Sequence, residues 1–283
     1  MIRKRILLGV GVVAAAGLLA VGCSDKGDDE AAAAANEVTV TAADFSFSGL
    51  ENLKPGTNNI KLSNTGEQVH HMQFVKVEGD HTLEDVMGGL AAMEAGGPPP
   101  DYVSFTGGVG QVAPGGEAGT VENLEAGNYV VLCLVPDPAD GVPHAAKGMA
   151  TLITVEGDEV AAELPKADVE IGGVDYGFTG ADEPLHAGDI TVQFTNNGAE
   201  AHEANVLQLA EGATVEDVAA WFQAPAGPPP FANVGGAQGI MPGASTLATV
   251  NLEAGNYAFI CFIPNAEGVP HAFLGMAKQF TVE

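Results

Sequence analysis

Two segments of this chain, "LEAGNYVVLCLVP" at 124–136 and "LEAGNYAFICFIP" at 252–264, are near copies of one another. "GPPP" recurs at 97 and 227 and "EDV" at 84 and 216, so offsets between equivalents stay between 127 and 132 residues. A chain that repeats itself at that interval folds as two similar units in tandem and not as a short-period solenoid. The first unit runs from about Glu37 to Glu156 and the second from about Ala167 to Glu283. Between them "GDEVAAELPK" (157–166) is charged and holds a proline, which suits a short linker.

Each unit reads mostly as strands. "VTVTAADFSF", "TNNIKLSNTG" and "ITVQFTNNG" alternate apolar and polar residues, and the last two end in Asn/Gly turns. "NYVVLCLVP" and "NYAFICFIP" are continuously apolar, as a strand buried on both faces would be. "HTLEDVMGGLAAMEAGGPPP" and "TVEDVAAWFQAPAGPPP" predict a short helix in each unit, started at Thr82 or Thr214 and stopped by glycine and proline. About seven strands and one helix in roughly 120 residues predict an all-β fold of two Greek-key sandwiches, each with a short helical insertion.

The amino terminus sets the compartment. Arg3, Lys4 and Arg5 precede an apolar run from Ile6 to Val21, then Gly22, Cys23 and acidic residues. That is an export signal, ended too abruptly for a membrane span. Cysteine directly after "LAVG" resembles the lipobox of bacterial lipoproteins. The resemblance implies removal of residues 1–22, a lipid on the Cys23 thiol, and anchoring to the outer face of the bacterial cytoplasmic membrane. An ordinary signal peptide cut nearby would leave a secreted protein instead. Residues 23–36 then form a flexible tether. The mature chain keeps seven of the ten basic residues and all 37 acidic ones, a formal charge of −30. Such a surface disfavours nucleic acid; it serves solubility or the steering of a basic partner.

With Cys23 set aside, Cys133 and Cys261 are the remaining thiols, at equivalent positions. A disulfide is the ordinary expectation for an exported protein, but it needs the two Cα atoms within about 7 Å, which two separate cores do not offer. His144 and Met149 follow Cys133, as His271 and Met276 follow Cys261, with the same His-to-Met spacing in both units. Alignment of "SNTGEQVHHMQF" with "TNNGAEAHEANV" adds His70 and His202. Two imidazoles, a thiolate and a distant thioether in apolar surroundings suit copper in both oxidation states. Cysteine and methionine as simple core packing is the competing reading.

An Asn/Gly turn leading to His at a strand start, then "AGNY", a buried strand ending in Cys and a loop carrying His-x4-Met resemble the cupredoxins, the blue copper family of plastocyanin, azurin and auracyanin. The resemblance covers both units. It implies up to two type 1 copper sites, His70, Cys133, His144 and Met149 in the first and His202, Cys261, His271 and Met276 in the second, with methionine axial. Two departures stand out: the Cys-to-His loop is longer than in plastocyanin or azurin, and the residue after the first His is His71 or Glu203 where plastocyanin has asparagine. His71 is therefore an alternative to His70. His81 and His186 read as surface residues, and Trp221 as packing for the helical insertion.

Laccases and copper nitrite reductases also use two cupredoxin domains, but they place histidines beside the cysteine. Here Cys133 lies between Leu132 and Leu134, Cys261 lies between Ile260 and Phe262, and no His-x-His occurs. The expected function is a single-electron carrier with a redox partner protein, with no catalytic residue. A copper buffer or delivery protein and a metal-free interaction module are the alternatives.

Overall fold

The computed structural model describes residues 33–283 apart from 95, 96 and 98. The export segment, Cys23 and most of the tether lie outside the described residues. The first repeat comprises β1 (Asn36–Ala43), β2 (Ser46–Ser48), β3 (Gly56–Asn64), β4 (His70–Val77), α1 (Leu83–Glu94), β5 (Val103–Val112), β6 (Glu117–Leu124), β7 (Gly127–Leu132) and β8 (Ala150–Val155). The second follows the same order: β9 (Val169–Val174), β10 (Gly177–Gly180), β11 (Gly188–Asn196), β12 (His202–Leu209), α2 (Val215–Gln223), β13 (Phe231–Ile240), β14 (Ser245–Leu252), β15 (Gly255–Ile260) and β16 (Ala277–Val282). Each repeat thus has eight strands, one more than the alternation predicts; the three- and four-residue strands β2 and β10 are too short to leave a pattern.

The architecture is all-β with Greek-key-like topology and a short helix per repeat, the tandem sandwich expected from the sequence. Burial explains why the elements form where they do. In β11, Ile190, Val192 and Phe194 point inward and alternate with more exposed neighbours. The continuously apolar β7 needs two dry faces and has them. Tyr129 and Val131 enter the core between the sheets, while Val130 and Leu132 pack under α1 with Val86 and Leu90. In the second repeat Tyr257 and Phe259 face the core, and Ala258 and Ile260 lie under Val218 of α2. Thr214 starts α2 with a capping box closed by Asp217, and Thr82 exchanges the same bonds with Asp85 ahead of α1.

The repeats share both sheets. One runs β10-β9-β11-β14-β6-β3-β1-β2 and the other β16-β15-β12-β13-β5-β4-β7-β8, and one apolar core runs through both halves. At the seam Val109 faces Ala237, Val112 faces Val234 and Thr106 faces Ile240. In the opposite layer Thr120 faces Ala248, Val121 faces Leu247 and Gly119 faces Thr249. Equivalent residues of these strands are 128 apart, so exchanging the repeats maps each set of pairs onto itself. The seam is a two-fold contact of the kind that joins identical subunits, here within one chain. The segment after the first repeat is pinned against β3. Thr57 N–H donates to Val160 C=O and Val160 N–H to Pro55 C=O, both at 2.9 Å.

A two-fold seam has a testable consequence. The second repeat expressed alone (167–283) leaves β13 and β14 as unpaired edges over an apolar face, and a second copy satisfies both. Analytical ultracentrifugation is expected to find a dimer; a folded, dispersed monomer would contradict the register.

Candidate metal centres

Both centres grow out of the same local structure. Asn64 ends β3 and builds the following turn: its side chain donates to Gln68 C=O at 2.8 Å and Val112 C=O at 2.9 Å, and it accepts from Gly66 N–H. Asn196 does the same for Glu200 C=O, Ile240 C=O and Gly198 N–H. The next strand, β4 or β12, starts on the histidine, and its pairing with β5 or β13 is bulged immediately after His70 and after His202. A bulge re-aims side chains, and both His70 and the adjacent His71 are buried. Just past the bulge of the first repeat Gly108 pairs with Gln73: its φ is 132°, and a Cβ there would stand 2.0 Å from Met72 C=O.

The remaining candidate ligands lie at the end of β7 or β15 and in the loop that follows. Ala145 N–H donates to Cys133 C=O, His144 N–H to Val135 C=O, Met149 N–H to His144 C=O and Cys133 N–H to Met149 C=O, at 2.7 to 3.0 Å. The second loop repeats all four bonds with Ala272, His271, Met276 and Cys261. Pro136 bridges Pro143, and Pro264 bridges Pro270. The extra residue of the first loop therefore falls at the tip beyond this bridge, and the ligand-bearing base is the same in both.

Side-chain atoms converge at each centre. His70 Nδ1 and His144 Nδ1 are 3.1 Å apart, with Cys133 Sγ 3.9 Å from the first and 3.6 Å from the second. In the second centre His202 Nδ1 and His271 Nδ1 are again 3.1 Å apart, and Cys261 Sγ is 3.5 Å from His271 Nδ1. All six residues are fully buried. Met149 and Met276 are equally buried, tied by their backbones between the cysteine and the second histidine.

The far side of each imidazole fixes its tautomer. His70 Nε2 donates to Asp44 Oδ1 (2.9 Å), His144 Nε2 to Gln68 Oε1 (2.9 Å), His202 Nε2 to Asp175 Oδ1 (2.6 Å) and His271 Nε2 to Glu200 Oε2 (2.8 Å). A proton held on Nε2 leaves Nδ1 a bare lone pair. Two such lone pairs facing each other beside a thiol repel unless a cation lies between them. Desolvation holds His70, His144 and His271 below the ordinary histidine pKa, which keeps them neutral and ready to ligate. Burial pushes the Cys133 thiol up to about 12 and Cys261 well above its ordinary value. The thiolate therefore forms only in exchange for a cation, so metal binding releases a proton. Two nitrogens and one sulfur, buried in apolar surroundings, form a ligand set that fits up to two copper ions, one per cluster.

The structure answers the alternatives. His70 and not His71 joins the cluster. His71 turns its ring away, and its Nε2 accepts from Leu134 N–H at 2.8 Å, while its own N–H reaches Cys133 Sγ at 3.4 Å. Glu203 holds the equivalent place, its Oε1 accepting from Phe262 N–H at 2.7 Å. Cys133 and Cys261 are free thiols. His81 is half-buried and stacks on Tyr102 with ring centroids 3.7 Å apart, and His186 is exposed. Trp221 of α2 packs edge-on to its neighbour Phe222 and to Phe231 of β13.

Sequence reasoning missed Asp44, Gln68, Asp175 and Glu200, and with them Gly66 and Gly198. A Cβ on Gly198 would lie 2.3 Å from Asp175 Oδ1 and 2.4 Å from His202 Nε2, so only glycine lets the carboxylate reach the ring. The available signal was the pair "DF" and "DY" preceding equivalent turns, weak in so acidic a chain.

Strand register also places the centres relative to one another. His70 shares a row with Val112 and Val234, and His202 shares one with Ile240 and Thr106. Three strand spacings of about 4.8 Å and six residues of about 3.3 Å separate the two positions, roughly 25 Å between Cα atoms. The centres open at opposite ends of the sandwich.

No protein-family model and no curated protein matches the chain. Among solved structures, auracyanin B is 20% identical and covers 43% of this chain and 93% of its own, with a TM-score of 0.31. Auracyanin from the photosynthetic bacterium Roseiflexus castenholzii is 21% identical, covering 44% and 99%, with a TM-score of 0.29. A multicopper oxidase is 16% identical, covering 87% and 88%, with a TM-score of 0.24.

Two outcomes are expected from this geometry. Gly198→Ala displaces Asp175 from His202 and lowers metal affinity at the second centre by about tenfold or more, the usual cost of losing a partner of a ligating histidine. Competitive metal titration reads it, and unchanged affinity would remove the carboxylate from the account. The second outcome concerns His71, whose pKa burial lowers to about 3 against about 6.5 in the unfolded chain. The unfolded state binds the extra proton between those values, so His71 removes stability progressively as pH falls through that window and none above it. Compared with the parent, metal-free His71→Gln is expected to lose less thermal stability between about pH 7 and about pH 4. A gap in melting temperature that stays constant across that range would contradict the assignment.

Proposed function

We propose that the protein is a lipid-anchored, extracytoplasmic single-electron carrier with two type 1 copper sites, and not an enzyme. The observation that carries this reading is the pair of bare Nδ1 atoms 3.1 Å apart beside a buried cysteine sulfur, built twice with the same backbone bonds. Two histidines and one cysteine in a trigonal set, with methionine as a long axial ligand, are the blue copper electron-transfer arrangement. Met149 and Met276, buried and tied by their backbones to the cysteine and the second histidine, would supply that thioether. When bound, copper supplies reversible one-electron chemistry. The chain's own contribution is to hold both imidazoles by their Nε2 protons and the sulfur by backbone N–H groups, so that ligand positions need not change with oxidation state. Closure of all donors inside the sandwich favours a carrier over a copper buffer, which must release its ion.

The non-catalytic part of the reading is supported by the remaining histidines: His71 is engaged with Leu134, His81 with Tyr102, and His186 lies apart at the surface. Anchoring and placement outside the cytoplasmic membrane both rest on Cys23 and its preceding apolar run. The formal charge of −30 on the mature chain supports a basic redox partner reached by electrostatic steering.

Copper(II) is expected to bind with an intense visible thiolate-to-copper band that falls by about half in Cys133→Ser and in Cys261→Ser, two independent sites contributing equally. A colourless protein whose spectrum is indifferent to both substitutions would leave only a metal-free binding module.

A further inference from the structure

The two centres share their ligands but not their surroundings. Asp44 and Asp175 hold the first histidine of each in the same way. On the second histidine the partners differ in charge: His144 Nε2 meets the neutral amide of Gln68, whereas His271 Nε2 meets the carboxylate of Glu200. A second change accompanies the first. Phe45 packs edge-on to His144 with centroids 5.1 Å apart, and its equivalent Tyr176 lies 4.8 Å from His271. The Tyr176 hydroxyl donates to Glu200 Oε1 at 3.3 Å, so one carboxylate oxygen is held by tyrosine while the other takes the imidazole proton.

Neighbouring charges do not cancel this difference. In the first ligand loop Lys147 pairs with Asp137 and Asp140, a net charge of one negative, and the second loop carries Glu267 alone, also one negative. Each turn before the first histidine also has one glutamate. In the first repeat it is the exposed Glu67, one position away from the residue that touches the ring; in the second it is Glu200 itself. Charges in the ligand loops and turns thus match between the repeats; beside the first histidine the buried His71 of one is Glu203 in the other, and only the second directs a carboxylate onto its loop histidine.

A carboxylate accepting the Nε2 proton makes the imidazole a stronger donor to a metal on Nδ1 than an amide does. A stronger, more anionic donor set favours copper(II) over copper(I). Resting on the type 1 reading above, we propose that Glu200 and Gln68 set the two centres to different potentials, the second lower than the first, so that an electron entering at the second repeat's end settles at the first. With the centres at opposite ends of the sandwich, the molecule becomes a directional link between two partners and not a duplicated carrier. Glu200 is a positioning residue in this scheme: it acts through His271. Its side chain is 38% exposed, so solvent moderates its effect without removing it.

Spectroelectrochemistry of the copper-loaded full chain tests the proposal, with Cys133→Ser and Cys261→Ser isolating one centre at a time. The centre that keeps Cys261 is expected to hold its electron at least about tenfold less favourably than the one that keeps Cys133, a separation of about 59 mV for one electron. Glu200→Gln is expected to close the gap, Gln68→Glu to lower the first centre, and the double exchange to invert their order. An intense copper band in every protein with equal potentials, or with the second centre higher, overturns the proposal and leaves the carrier reading standing. Absence of any intense band in the parent overturns both, through the reading on which the proposal rests.

Discussion

Each ligand histidine is held from behind, by a hydrogen bond from Nε2 to an acceptor at the end of the sandwich, and most of the centre's behaviour depends on that bond. It assigns the proton to the outer nitrogen and therefore leaves the inner one bare. It also fixes the ring plane from the outer nitrogen, so that the inner one stays aimed at the cluster. With two rings so fixed, the lone pairs of His70 and His144 face one another across 3.1 Å next to a thiol that burial keeps protonated. A cation relieves the repulsion and replaces the thiol proton; apolar packing alone relieves neither. The acceptors in turn depend on small turns, since Gly66 and Gly198 lie where any Cβ would strike the carboxylate and the ring.

The sandwich supplies the rigidity this arrangement needs. Strands β7 and β15 are sealed on one side by the opposite sheet and on the other by the helical insertion. Cys133 continues the inward alternation of Tyr129 and Val131, so its sulfur enters the same dry core. The helix covers the other face of the same strand, over Val130 and Leu132, and no helical residue belongs to the centre. Phe45, beside the His144 ring, has a φ of 64°, a left-handed conformation that a bulky residue adopts only when its surroundings impose it.

The joining of the repeats shows where symmetry stops. Backbone pairing at the seam obeys a two-fold relation in both layers, and this relation sends the two centres to opposite ends. Side chains around the centres do not obey it: Gln68 of the first is Glu200 in the second, Phe45 is Tyr176 and His71 is Glu203. Both members of the last pair accept the N–H that follows the cysteine, an imidazole in one repeat and a carboxyl in the other. Desolvation raises the pKa of Glu203 to about 7 and lowers that of His71 to about 3, so equivalent roles are filled by groups of different chemistry.

How much was legible beforehand follows from what each feature needs. Periodicity is local, so the strands, the two capped helices and the tandem organisation could be read from residues alone. The cysteine, histidine and methionine of each loop are close in sequence, and internal repetition singled out His70 and His202 from further away. The short strands β2 and β10 left no period to detect. The ring partners could not be found that way, because Asp44 reaches His70 over 26 residues and nothing in an acidic chain marks one aspartate from another. The choice between His70 and His71 turned on a bulge, a property of strand pairing. Sequence by itself determined the repeat, the all-β class and the ligand types, since these depend on side-chain chemistry and spacing along one strand or loop. Only the tertiary structure decided that the repeats share two continuous sheets, that the centres lie at opposite ends, and that one carries a carboxylate where the other carries an amide, because each of these is fixed by register between strands distant in the chain.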